Sequence, residues 1–470
     1  MAPITIPYGK TSLTAHLDGS LNVQLLAPAK VAGAADPAQA VREALAHVCG
    51  VTLPELIGGE VEASPSAITV AIAINDKTRP VAYDILLPPL LEELERLGIP
   101  RDAITFIIAT GLHGPMQESE FELVLPRGIL ERYRVISHDS TAVADLADLG
   151  KTQMGTTVQN NRHFARAVLR IVVGNLEPHQ FMGFSGGVKT AAIGLAGRET
   201  INANHSLMLD PRSDLARYEN NPCRQDVEEI GRMIGVHFAL NAVLNEAKQI
   251  VRVFAGEPQA VMQQGIPLVR EIYEVRAEQP FDLMIVSPGG HPKDINLYQA
   301  QKALGHAARI TRPAGTIILI AACPEGTGSR SYEEWVMGRE VRSPKSEARS
   351  PNSEVQSPSA SAKATADEKS KVQGTKSRGP RSQEEVIERF RKEGFRIGPH
   401  KAFQIARDSV GRQLLMVTDM PADFVRSLLL TPCASLDSAL SIALKDLQPG
   451  ARVGVMPFAN ATIPSLYSRA

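Results

Sequence analysis

Apolar and polar positions alternate along this chain in two rhythms. Ala67-Ile-Thr-Val-Ala-Ile-Ala-Ile74 is a continuous apolar run of strand length, Tyr83–Leu97 repeats its apolar residues at helical spacing, and Ile104-Thr-Phe-Ile-Ile-Ala109 is strand-like again. Strand, helix, strand in that order predicts a parallel sheet covered by helices. A further strand, Ala167-Val-Leu-Arg-Ile-Val-Val173, runs into Gly174, and a long helix is predicted from about Asp226 to Gln249. The pattern restarts with the strand Phe281–Ser287, a helix at Leu297–Ala308, and strands at Thr316–Ala321 and Gln413–Val417. The fold class is therefore α/β, in two domains, 1–275 and 276–470, each with a mainly parallel, helix-covered sheet.

One stretch breaks the pattern. From Arg342 to Arg381 the chain is rich in Ser, Lys, Pro and Ala and lacks aromatic residues, with Ser-Pro pairs at 343, 350 and 357. Such a segment buries too little apolar surface to offset its conformational entropy, so it is expected to be a disordered insert without a role in the site. Order is expected to resume at Ser382-Gln-Glu-Glu385, a capping-box pattern opening a helix over Val386–Glu393.

Composition narrows the function classes. With 470 residues, 43% of them hydrophobic, the chain can build two or three cores. Lys and Arg total 50 against 51 for Asp and Glu, a formal charge of -1, so no global field steers it toward nucleic acid or an anionic membrane. The four cysteines form no Cys-x-x-Cys pair, which argues for reduced thiols rather than a zinc site or disulfide framework. No apolar run approaches bilayer length and no leader pattern precedes the first strand, so a cytoplasmic protein is expected.

The chemistry concentrates in Gly174-Asn-Leu-Glu-Pro-His179-Gln-Phe-Met-Gly-Phe-Ser-Gly186-Gly187-Val-Lys189-Thr190, followed by Asn202-Ala-Asn-His205. A glycine run can bring backbone close to a bound anion, with a lysine at its edge and imidazoles on either side. The phosphate-loop template fails because Val188 stands where its second glycine belongs. Taken alone, Lys189 could pair with a phosphate or, with its amine neutralised by desolvation, form a covalent bond. Asp76, Arg79 and His113 each follow a predicted strand, where ligands of parallel sheets collect. Asp76 could cap its strand end, or orient Arg79 or a base. His138, in Ser-His-Asp-Ser-Thr, lacks the nucleophile elbow a hydrolase needs.

Together with Asn75-Asp76-Lys-Thr-Arg79-Pro80, Ala109-Thr-Gly-Leu-His113, Asn296-Leu-Tyr298-Gln299-Ala-Gln-Lys302 and Val455-Met-Pro457, with Pro464 beyond, this block resembles the nickel-pincer lactate racemase family. The resemblance implies a racemase or epimerase of 2-hydroxy acids that works by hydride transfer in a cleft between the two domains. It implies nickel held by His205, and a pyridinium-3,5-bisthiocarboxylic acid mononucleotide joined to Lys189 and cradled by Gly186, Gly187 and Asp76. By the same resemblance His113 and His179 are the two bases, while Arg79, Lys302, Gln299 and Tyr298 hold the substrate carboxylate. Cofactor-synthesis proteins are the implied partners. Gly114-Pro115 place no charge beside His113, so the expected substrate is a neutral 2-hydroxy acid at least as large as lactate. The competing readings are a pyridine-nucleotide oxidoreductase, for which no Gly-x-Gly-x-x-Gly turn is present, and a non-catalytic phosphate binder.

Overall fold

The structure, a computed structural model, describes residues 3–61, 68–79, 81–338 and 379–466. Of the predicted insert, only Gly379–Arg381 fall among them; residues 342–378 lie outside, as do Ala67 and Pro80. Two six-stranded sheets organise the molecule. In chain order their strands are β1 Asn22–Leu25, β2 Val70–Asn75, β3 Ile104–Ala109, β4 Arg134–Ser137, β5 Leu169–Asn175, β6 Phe238–Leu244, β7 Ile250–Gly256, β8 Phe281–Val286, β9 Thr311–Ile320, β10 Gln413–Val417, β11 Thr431–Cys433 and β12 Arg452–Met456.

The first sheet runs β7-β6-β5-β2-β3-β4, parallel except for the β6–β7 pair. Strands β2 and β5 are mostly apolar, with Arg170 and the terminal Asn75 and Asn175 as exceptions, because both sheet faces are covered by separate clusters of buried side chains. The covering helix Tyr83–Arg96 turns Leu86, Leu87, Leu90, Leu91 and Leu94 inward. Its Tyr83 hydroxyl accepts the Asn75 N–H at 2.6 Å and anchors the end of β2. Chain order reverses direction between β2 and β5, which opens a crevice at their carboxyl ends.

The second sheet runs β11-β10-β9-β8-β12-β1, all parallel. Its membership corrects the predicted division: β1 sits in this sheet beside β12, so a single cut at 275 does not separate the units. A strand this short, with Asn and Gln at alternate positions, carries no pattern that assigns it to one sheet over another. A second junction element is the parallel pair of Glu274–Ala277 with Ile463–Leu466, which places Pro464 opposite Val275.

The predicted helix over 226–249 is also corrected. The helix spans Pro222–Ile234 and stops at Gly235, which adopts φ 73°. Phe238-Ala-Leu-Asn-Ala-Val-Leu244 then forms the fully buried β6, and Ile250–Gly256 returns antiparallel as β7. A continuous apolar run of that length reads equally as buried helix or buried strand, and the left-handed glycine decides it. The predicted capping box is half formed: Ser382 Oγ accepts the Glu385 N–H at 3.3 Å, the Glu385 carboxylate takes the Arg381 N–H at 2.8 Å instead of that of Ser382, and the helix covers Gln383–Glu393. All four cysteines are free and buried. Among the described residues, no helix is long and apolar enough to cross a membrane.

Candidate active site

Three loops leave the carboxyl ends of neighbouring strands in the first sheet. Asp76 and Arg79 follow β2, His113 follows β3, and His179 follows β5. Asp76 is 5% exposed and accepts from His113 Nδ1 at 2.7 Å through one oxygen and from the Thr78 hydroxyl at 2.6 Å through the other. Burial alone raises this carboxyl, but the His113 and Thr78 bonds outweigh it and hold Asp76 below the usual carboxylate range. Asp76 therefore fixes the His113 imidazole rather than pairing with Arg79. With Nδ1 donating to Asp76, His113 leaves Nε2 free, on a side chain that is 62% exposed.

His179 is set differently. It occupies a two-strand clip, Pro178–His179 against Gly183–Phe184, and its Nδ1 accepts the Met182 N–H at 3.2 Å. A neutral ring in that contact carries its proton on Nε2. Burial, and then the charges of Lys189, Arg79, Lys302 and His205, hold His179 well below the ordinary imidazole range. Lys189, at the start of the short helix Lys189–Ala192, is likewise held well below the usual lysine range by burial and then by Arg79, Arg224 and Lys302. Arg79 and Lys302 act on both His179 and Lys189, and His205 acts on His179.

The glycine loop is braced from behind. Arg224, 1% exposed, donates to the Phe184 and Gly186 carbonyls at 3.0 and 3.2 Å and pairs with Glu228. Asn241 on β6 accepts the Gly187 N–H at 2.7 Å. Gly187 has φ 55°, and a Cβ there would meet Met262 at 2.8 Å and Arg224 at 3.0 Å, so glycine is required by the loop itself. The Gly187 N–H, already engaged by Asn241, is not available to cradle an anion. Neither Arg224 nor Asn241 stands out in the sequence, since an i,i+4 Arg–Glu pair and one Asn in an apolar run are ordinary.

His205 lies in the last turn of the helix Arg198–Ser206, close to the element boundary predicted for it. Its Nδ1 is buried without a hydrogen bond of ordinary geometry, and the Ile201 carbonyl one turn earlier favours the charged ring only weakly. Burial and the Lys189 charge push its pKa down to about 3, so the imidazole is neutral with one nitrogen unprotonated. Among the described residues, no three His, Cys, Asp or Glu side chains gather at one point. His138, in contrast, is spent in the interior: Nε2 meets the Ala196 carbonyl at 3.0 Å and Nδ1 the Asn161 amide at 3.3 Å.

The second unit contributes the helix Leu297–Ala308. Asn296 caps it, accepting the Gln299 N–H at 3.1 Å, which puts Tyr298 and Lys302 on one face four residues apart. Lys302 Nζ donates to Gln299 Oε1 at 2.8 Å, and burial followed by Arg79 lowers its pKa to about 8. Aromatic rings join the units: His179, Phe181, His205, Phe395, His400 and Tyr298 follow one another at centroid distances of 4.9, 5.3, 6.0, 5.4 and 5.9 Å. Gln301 also donates to Gln180, beside His179, at 3.4 Å. Residues of both units thus lie along one run of ring contacts from His179 to Tyr298, while His113 and Asp76 stand at the neighbouring strand ends of β3 and β2. A cavity of about 860 Å³ at the junction, lined by Tyr218, Ile266, Arg270 and Glu274, contains none of them.

The family comparisons bear on the same residues. Residues 8–216 match the lactate racemase N-terminal domain and residues 276–355 the lactate racemase C-terminal domain. The chain is 27% identical over 464 residues to a lactate racemase of Thermoanaerobacterium thermosaccharolyticum, covering 97% of this chain and 98% of the relative. It is 31% identical over 340 residues to a lactate racemase of Lactiplantibacillus plantarum, covering 71% of this chain and 77% of the relative. The apoprotein structure of the Thermoanaerobacterium enzyme superposes with a TM-score of 0.82 at 25% identity, over 98% of this chain and all of that one. A Thermotoga maritima crystal structure, at TM-score 0.60 and 15% identity over 93% of this chain and all of that one, shares the fold. With both domain models matched in order and a relative above 30% identity, the chain belongs to the lactate racemase family.

Proposed function

We propose that the protein is a racemase or epimerase of a 2-hydroxy acid, lactate or a larger neutral relative, and that it acts by hydride transfer with a nickel-pincer nucleotide tethered to Lys189. The observation that carries this reading is that His179 and His205 flank the Phe181 ring, with Lys189, Arg79 and Lys302 all acting on His179. Burial holds the enclosed Lys189 amine well below the usual lysine range, which eases the proton loss that acylation requires. A neutral His205 with an unsatisfied nitrogen suits a borderline metal ion whose other ligands come from an organic group. When bound, that group supplies the hydride acceptor.

The chain's own residues do the rest. Arg79 and Lys302 receive the substrate carboxylate from opposite units, so substrate binding draws the units together. His113, its Nδ1 committed to Asp76, accepts the hydroxyl proton at Nε2. His179 addresses the other enantiomer, for which it must give up its Met182 contact and accept at a ring nitrogen. Gly114 and Pro115 are exposed, and a Cβ on Gly114 would meet nothing within 4 Å, which leaves uncharged room beside His113.

Co-expression with the cofactor-synthesis proteins, followed by intact-mass and metal analysis, tests the reading. Added mass localised to Lys189 together with nickel is the expected result. Unmodified protein that still racemises, or nickel without added mass, would contradict it.

A further inference from the structure

The second unit holds a buried lysine that the proposed reaction leaves unused. Lys401, on the helix Pro399–Ser409, is only 5% exposed. Its Nζ donates to Gln404 Oε1 at 2.9 Å and stands 4.5 Å from the centre of the Tyr298 ring, and no carboxylate among the described residues pairs with it. Asp408, the acid on its own helix, is already engaged: its two oxygens accept from Arg407 at 2.7 and 3.0 Å. The charged groups acting on Lys401 are otherwise Lys302 and Arg407, both cations. An ammonium withdrawn from water is costly unless an anion replaces the lost hydration, and one amide oxygen with one aromatic face replaces only part of it.

The neighbourhood deepens the deficit. Lys302 shares a helix face with Tyr298 and also lacks a carboxylate, as does Arg79 across the cleft. Lys401 thus lies over the half-buried Tyr298 ring, Lys302 sits one turn along the same helix, and neither makes an ion pair with an acid among the described residues. We propose that Lys401 belongs to the carboxylate clamp: together with Lys302 it binds a carboxylate of the substrate beside Tyr298. The proposal rests on the 2-hydroxy acid reading. The carboxylate is either the one next to the reacting carbon or a second one on the substrate side chain, and the two sources separate experimentally.

The test is calorimetric titration of wild type, Lys401→Met and Lys401→Arg with single enantiomers of lactate and of malate, alongside chiral chromatography and thermal melting. Lys401→Met is expected to weaken binding by about tenfold or more, the scale of a charge-assisted hydrogen bond. Equal loss for both acids assigns the carboxylate beside the reacting carbon; loss confined to malate assigns a side-chain carboxylate. Lys401→Arg should stay within a few-fold of wild type. Without ligand, Lys401→Met should melt at or above wild type, since it removes a buried amine whose lost hydration is only partly replaced by Gln404 and the Tyr298 ring.

Unchanged affinity of Lys401→Met for both acids overturns the proposal, as does failure of wild type to bind either acid. So does a lowered melting temperature with unchanged affinity, the signature of a purely structural cation–π strut. Should Lys401→Met fail to fold, Lys401→Gln repeats the measurement, and loss of folding in both counts against the proposal. Lys401-dependent binding without racemisation would sink the reaction assigned above while leaving the clamp intact.

Discussion

His113 and His179 leave the two strands that flank β2, yet their surroundings are opposite. His113 is largely exposed and donates from Nδ1 to a buried carboxylate. His179 is enclosed, accepts at Nδ1 from a backbone N–H, and is kept neutral by burial and a ring of cations. In the resting protein one ring is prepared to accept at Nε2 and the other to donate from it. Two enantiomers have equal free energies, so a racemase pays the cost of freeing His179 in both directions. The contrast teaches that a chemically symmetric reaction can rest on an asymmetric scaffold.

Replacing His205 by Ala tests the feature both histidines depend on and should have the largest effect. Nickel retention and activity are expected to vanish while circular dichroism stays unchanged; full nickel stoichiometry would remove His205 as ligand. His113→Ala and His179→Ala come next, each lowering turnover by a factor on the order of 10²–10⁴. Near wild-type turnover in either would remove that residue from the reaction. Asp76→Asn should act on His113 alone, with a smaller loss in kcat/KM and little change in the affinity for a non-reacting carboxylate.

The pH dependence sharpens the contrast further. Asp76 has a lowered pKa, so its contribution is present above the ordinary carboxylate value and is lost only as pH falls through the lower folded one; the neutral range should show no Asp76 transition. Lys302, at about 8, is charged below that pH and neutral above it. KM should therefore rise as pH passes about 8, and Lys302→Arg should abolish the rise; a flat KM up to pH 10 would refute it.

Much of the site is legible in the sequence because each functional side chain follows a strand whose apolar run is unmistakable. Asp76, His113 and His179 sit where β2, β3 and β5 end, and Asn296 announces the helix carrying Tyr298 and Lys302. What stays hidden depends on distance in space. Met182 fixes the His179 tautomer through its backbone, Asn241 reaches the glycine loop from β6, and Lys401 meets Tyr298 from another helix. The fold errors have the same origin: β1 finds its partner β12 over 400 residues away, and β6 is as apolar as a buried helix.

The smallest effect is expected from deleting 342–378. The placed residues on either side meet, since a Cβ on Gly379 would lie 2.6 Å from the Gly338 backbone nitrogen, so a short Gly-Ser linker closes the gap. Activity and melting temperature should change little; loss of folding would show that the segment contributes to the second core.

Hydride transfer and proton exchange at C2 leave different isotopic records in the product. A single enantiomer of lactate, or of a larger neutral 2-hydroxy acid, is incubated in deuterium oxide with cofactor-loaded protein and followed by chiral chromatography and mass spectrometry. The opposite enantiomer is expected to form with its original hydrogen retained at C2. Deuterium entering C2 as fast as the enantiomers interconvert, or no interconversion of any 2-hydroxy acid, would contradict it.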